Sequence, residues 1–289
     1  MLGAIIGDIV GSCHEFNSIK TTEFELFQPK SCYTDDSMMT MAVAEWLLED
    51  PMHTHEVLEE KMVKYGNLNT DIGYGPHFLR WLFYPDVLFP DGKRKPYNSF
   101  GNGSAMRVSA VGWMFDSLEE TERVAGISAS ITHNHPEGIK GAQATAAAIF
   151  MARNGAGTEE IRDYISTKFE YDLNRTCDQI RPSYGFEVSC QRSVPESIIA
   201  FLDSTDYEST LRLAVSLGGD SDTQACIAGG IAEAFYGIPD AIIIEASSFI
   251  PRYFKEAIIR MAENSAYRNQ MEQLERCWGD ISVITTKAF

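Results

Sequence analysis

Residues 1–16 read MLGAIIGDIVGSCHEF. Within this stretch Leu2, Ile5, Ile6, Ile9, Val10 and Cys13 recur at the three-and-four spacing that lines one face of an α-helix. Gly3, Gly7 and Gly11 form a second stripe four residues apart. Glycine lowers helix stability, so three in register predict that another backbone or a ligand lies close against that face. Asp8, Ser12 and Glu15 run beside the glycines as a polar line.

Helical periodicity continues outward from this segment. Period and end signals predict further helices at roughly 36–49, 54–66, 104–115, 119–131, 137–153, 158–168, 206–217, 223–236, 239–249 and 252–276. Strand patterns are weak. Two stretches read as long loops: Tyr84–Phe100, with Pro85, Pro90, Asp91-Gly92 and Pro96, and Asp172–Pro195. Neither has the composition of a flexible linker, and no repeat period is present. The expected architecture is therefore all-α, with residues 1–289 as a single domain.

Composition narrows the function classes. With 24 basic and 41 acidic side chains the chain carries a formal charge of −17, which repels phosphate backbones and anionic membranes. Generic nucleic-acid or membrane binding is excluded as an expectation, although a local anion site is not. Six cysteines, at 13, 32, 177, 190, 226 and 277, are scattered without a C-x-x-C pair, as expected of a protein in a reducing cytoplasm. The N-terminus lacks a basic leader and carries Asp8 inside its apolar stretch, so a soluble protein is expected, with a monomer as the default.

Two acidic segments stand directly before predicted helices: Tyr33-Thr34-Asp35-Asp36-Ser37 and Gly218-Gly219-Asp220-Ser221-Asp222-Thr223. Each offers two carboxylates and a threonine hydroxyl. Thr and Asp also cap helices, because their oxygens accept from free backbone N–H groups and negative charge is favoured there. Capping does not require doubled aspartates twice. If the two starts meet, Thr34, Asp35, Asp36, Asp220, Asp222 and Thr223 supply six hard oxygen donors, the ligand set that Mg²⁺ or Mn²⁺ prefers. A rival reading treats Asp220-Ser221-Asp222-Thr223 as the D-x-D-x-T signature of haloacid-dehalogenase-type phosphatases. That chemistry needs a strand before the first aspartate, and Gly218-Gly219 argues against one.

Other segments carry weaker signals. Gly101-Asn102-Gly103-Ser104 runs into a helix, and exposed N–H groups at such a start suit a phosphate, but the GK[ST] ending of a P-loop is missing. His133 and His135 form an H-x-H pair whose spacing no other histidine completes into a zinc site, so a hydrogen-bonded loop histidine is expected. Asp71-Ile72-Gly73-Tyr74-Gly75 reads as an acidic turn. The methionines at 38, 39 and 41 read as core.

Taken together and in order, GAIIGDIVGSCHEF, YTDDSMMT, DIGYG, GNGSAMR, ITHNHPEGIKGAQA and GGDSDTQA resemble the ADP-ribosylglycohydrolase family, over residues 2 to about 237. The resemblance implies an orthogonal helical bundle with two divalent cations, usually magnesium or manganese, that binds ADP-ribose and cleaves its bond to a modified group on a protein or small molecule. It places the metal ligands on Thr34, Asp35, Asp36, Asp220, Asp222 and Thr223, and the catalytic carboxylate on Glu15 or Asp71. It also implies that Gly101, Asn102, Gly103 and Ser104 contact the diphosphate and that His133 faces the ligand. Ser37 and Ser221 stand where threonine is common in the family, and Pro76-His77 departs from the arginine-specific pattern. The linkage cleaved is accordingly left open. A catalytically idle ADP-ribose binder of the crystallin kind and a phosphohydrolase of another nucleotide stand as alternatives.

Overall fold

The computed structural model describes residues 1–285, and among these no β-strand forms; a single isolated bridge joins Gly101 to Ser189. The fold is all-α. In chain order the first nine helices are α1 (Leu2–Gly11), α2 (Asp35–Glu49), α3 (His55–Gly66), α4 (Pro76–Phe83), α5 (Pro85–Leu88), α6 (Gly103–Met106), α7 (Ser109–Met114), α8 (Leu118–Ser130) and α9 (Pro136–Arg153). The rest are α10 (Thr158–Phe169), α11 (Cys177–Ile180), α12 (Cys190–Leu202), α13 (Tyr207–Ser216), α14 (Ser221–Tyr236), α15 (Asp240–Ala246), α16 (Arg252–Asn264), α17 (Met271–Trp278) and α18 (Ile281–Thr285). One continuous apolar cluster runs from Met1 to Leu274.

At its centre lies α14, buried from Ser221 through Glu233 and packed by α1, α9, α12 and α13. The glycine stripe of α1 determines the closest of these contacts. A Cβ built on Gly3 would lie 2.5 Å from the Gly229 carbonyl oxygen, on Gly7 2.0 Å from that of Ala225, and on Gly11 2.3 Å from that of Ser221. No side chain fits in those gaps, so the two backbones touch as the stripe predicted. This contact carries the end of α1, with Glu15 just beyond it, to the start of α14.

Most predicted helices form within a residue or two of their expected bounds, and four readings are corrected. The expected helix over 104–115 breaks into α6 and α7 at Arg107–Val108. There the Met106 carbonyl accepts from Thr40 Oγ1 and Cys226 Sγ, both at 3.3 Å, in place of a helical N–H. The expected helix over 252–276 divides into α16, a 3₁₀ turn at Ala266–Gln270, and α17. Ser265 Oγ accepts from the Tyr267 N–H at 3.1 Å and turns Tyr267 inward, where its hydroxyl donates to Glu233. The expected loop at 172–195 contains α11 and the start of α12, with Pro195 inside that helix. The carbonyl that Pro195 leaves without a donor belongs to exposed Gln191, which water can serve. Helices α4 and α5 had no counterpart in the sequence reading, and each starts on a proline whose fixed φ suits a first turn.

Candidate active site

Thr34, in extended backbone, caps α2 by accepting from the Asp36 N–H at 3.3 Å, so the capping reading of the first acidic segment is true as far as it goes. The helix start is also held from behind. Asp8, fully buried on α1, accepts from the Thr34 N–H (2.9 Å), Thr34 Oγ1 (2.8 Å), the Ser37 N–H (3.1 Å) and Ser37 Oγ. Burial outweighs these four bonds and raises the Asp8 carboxyl to about 6.

The second acidic segment behaves differently. Gly218, at φ +68°, turns the chain out of α13 so that Asp220 becomes the N-cap of α14, yet its side chain makes no capping bond. Asp220 instead accepts from Asn102 Nδ2 at 2.7 Å. The D-x-D-x-T reading is overturned here, because Asp220 opens a helix and does not end a strand.

The two segments meet. Thr223 Oγ1 donates to Asp36 Oδ2 at 3.3 Å across 187 positions of sequence, and Thr34 Oγ1 donates to the same oxygen at 3.3 Å. Glu15, Asp220 and Asp222 bring carboxylate oxygens within 4.8 Å of one another. Asp36 Oδ1 and Asp222 Oδ1 are buried and have no hydrogen-bond partner. Burial first, then mutual repulsion, drives the carboxyls of Asp35, Asp36 and Asp222 well above the ordinary range. Burial and the charges of Asp222 and Asp8 raise half-buried Glu15 to about 8. Buried carboxylates crowded without a compensating charge, two of them with orphaned oxygens, are the environment that a hard divalent cation relieves. The donor set fits such an ion.

A cavity of about 590 Å³ opens from this cluster. Glu15, Asp35, Asp36, Asp220, Asp222 and Thr223 line it at the acidic end, while Thr34 lies behind Asp36. Gly101, Asn102 and Gly103 line it with His133 and Arg107. The His133 imidazole packs against the glycine loop, since a Cβ on Gly103 would come within 3.2 Å of its Nε2, and its Nδ1 shares a hydrogen bond with Thr132 Oγ1 at 2.7 Å. Burial and the nearby Arg107 charge hold it well below the usual range, so it is neutral at physiological pH. Arg107 itself, lowered by burial to about 10, remains a cation.

Besides Thr34, two sequence candidates lie off the cavity wall. Asp71 is exposed and outside the lining, although Gly73 and Tyr74 of the same turn are part of it. Ser104 is fully buried and donates to the Gly138 carbonyl at 2.7 Å. Asn102, expected to contact the diphosphate, has its side chain engaged with Asp220 and with Ser193 Oγ at 3.2 Å, and its N–H donates to the Val188 carbonyl at 2.7 Å. Sequence reasoning assigned no site role to Asp8 or Arg107. An acidic residue set in the apolar run of α1 was the signal for Asp8. For Arg107 there was none, because a helix was expected to continue through it.

Comparison with known proteins identifies the family. The ADP-ribosylglycohydrolase family matches residues 1–275, and the chain belongs to that family. Its relatives include human ADP-ribosylhydrolase ARH3, 27% identical over 308 residues, with 82% of this chain and 84% of the relative covered. Another is the ADP-ribosylarginine hydrolase Tri1 of Pseudomonas putida, 26% identical over 266 residues, with 82% and 70% covered. Among solved structures, an ADP-ribosylglycohydrolase-related protein complex superposes with a TM-score of 0.70 at 20% identity, covering 91% of this chain and 94% of that one.

Proposed function

We propose that this ADP-ribosylglycohydrolase cleaves the glycosidic bond between ADP-ribose and a modified side chain or small molecule, with Glu15 as the general base. Water adds to the anomeric carbon, the bond to the leaving nitrogen or oxygen breaks, and the water's proton passes by way of Glu15 to the group that departs. Thr34, Asp35, Asp36, Asp220, Asp222 and Thr223 would hold two Mg²⁺ or Mn²⁺ ions, which supply Lewis acidity for a water and for the ribose hydroxyls when bound. Asn102 keeps Asp220 turned toward that cluster, and Asp8 keeps the start of α2 in place. The N–H groups of Gly101 and Asn102 are taken by Ser99 Oγ and the Val188 carbonyl, which leaves Gly103 at the start of α6, with cationic Arg107 behind it, to face the diphosphate and offset the chain's −17 charge locally.

The observation that carries the reading is the bond from Thr223 to Asp36, with Glu15 gathered beside Asp220 and Asp222. Glu15 is preferred over Asp71 because it alone of the two faces the cavity. The six cysteines are all free, which supports a reducing, cytoplasmic setting, and no described helix is long and apolar enough to cross a membrane. We also treat residues 1–289 as one functional domain, since α1 and α14 each supply part of the site. Incubation with a panel of defined ADP-ribosyl linkages, with Mg²⁺, Mn²⁺ or chelator, tests the proposal. Cation-dependent release of ADP-ribose is expected, and full activity in chelator refutes the mechanism.

A further inference from the structure

Large apolar side chains left in water are informative when they cluster. Phe16 is 84% exposed and Phe186 56%, and neither joins the core. Their rings stack on each other at 6.0 Å with 30° between planes, on the wall of the catalytic cavity, and exposed Val188 lines the same wall. Phe100, also exposed, is occupied edge-on by His135.

Phe16 is fixed at the reacting end of the cavity, and Phe186 between that end and the glycine loop. Phe16 directly follows Glu15 in the chain. The segment bearing Phe186 is pinned on each side to the acidic cluster. On one side the Tyr184 ring lies so close to Gly219 that a Cβ there would come within 2.4 Å of it, and its hydroxyl accepts from Gln224 Nε2 at 3.3 Å. On the other the Val188 carbonyl accepts from the Asn102 N–H at 2.7 Å, and the side chain of Asn102 holds Asp220. With the anomeric carbon at Glu15 and the diphosphate at Gly103, the departing group emerges beside these two phenyl rings.

Resting on the glycohydrolase reading above, we propose that Phe16 and Phe186 form a stacking platform for the leaving group and select a planar, delocalised nitrogen group of the guanidinium type over an alkyl alcohol. A flat cation gains from aromatic faces both by stacking and by attraction to the ring quadrupole. An alkyl ether oxygen gains neither. The exposed outer edge of the pair leaves room for whatever chain bears that group.

The test uses full-length protein loaded with Mn²⁺, in a Glu15→Gln background that holds substrate without turnover. Phe16→Leu and Phe186→Leu keep apolar bulk and remove the π face, and a melting curve confirms each fold. Calorimetric titration is run with ADP-ribosyl-guanidine, an ADP-ribosyl-serine peptide and free ADP-ribose. Each Leu variant is expected to weaken the guanidine adduct about ten-fold and to change the other two by less than about two-fold. Equal weakening of free ADP-ribose would place adenine on the rings and overturn the proposal, as would equal loss on the serine adduct or no loss on guanidine. Wild-type protein that hydrolyses none of the adducts refutes the glycohydrolase reading, while the affinity comparison still decides the platform.

Discussion

Glu15 stands where one carboxyl meets the charges of several others, and its proton affinity follows from that crowding. Raised to about 8 by burial and by Asp222 and Asp8, it holds its proton at neutral pH until positive charge arrives beside it. Glu15→Gln keeps the shape and removes the base, so kcat is expected to fall by about 10²- to 10⁴-fold in a turnover assay. The Tm without cation should change little at neutral pH, because the Glu15 carboxyl is already protonated there and a neutral amide takes its place. Asp8 makes the complementary case. Asp8→Asn turns an amide toward donors that need an acceptor, which costs about 1–3 kcal/mol in denaturant unfolding and weakens Mn²⁺ binding measured by calorimetry. Unchanged Mn²⁺ affinity would show that the start of α2 holds its position without Asp8.

Among the elements, the contact between α1 and α14 was the most legible in the sequence and the most consequential for the site. Glycines at every fourth position have few physical readings besides close approach, and α14 from Ser221 to Gly229 is what they approach. Gly7→Ala would set a methyl 2.0 Å from the Ala225 carbonyl oxygen, and backbone cannot rotate away as a side chain can. A destabilisation of about 3 kcal/mol is expected, together with loss of cation binding as Glu15 is pushed away from Asp222. Gly157→Ala, at a glycine with an ordinary φ of −73° whose added Cβ would come no closer than 3.7 Å to Glu160 Oε2, is the control. The pairing of the acidic helix starts was also legible, since doubled aspartates exceed what capping demands. What escaped reading depended on distant partners. Pro195 looks like punctuation unless the exposure of Gln191 is known. The break at Arg107 arises because Thr40 and Cys226 take the Met106 carbonyl. Nothing local shows that Ser104 turns inward or that Asp71 turns out.

For the molecule as a whole, pH and cation act on the same groups in opposite directions. Asp8 and Asp220 sit at about 6 and Glu15 at about 8, all above their unfolded values. Between the unfolded and folded values the native chain holds more protons than the unfolded one, so this site's contribution is fully present below about pH 4 and is lost as pH rises through 6 and 8. A divalent cation needs the deprotonated forms and binds more tightly over that same range. The rise in Tm on adding Mn²⁺ is therefore expected to be larger at about pH 8 than at about pH 5.5, as scanning calorimetry can measure. A Tm gain independent of pH would detach these carboxyls from the cation.

The embrace of α1 by α14 also sets a schedule. During synthesis Asp8, Glu15 and Asp36 leave the ribosome well before Asp220, Asp222 and Thr223, the last of which follows Asp36 by 187 positions. Until then the first helix has no partner for its glycine face, and a nascent or prematurely terminated chain can neither capture a metal nor attack a glycoside.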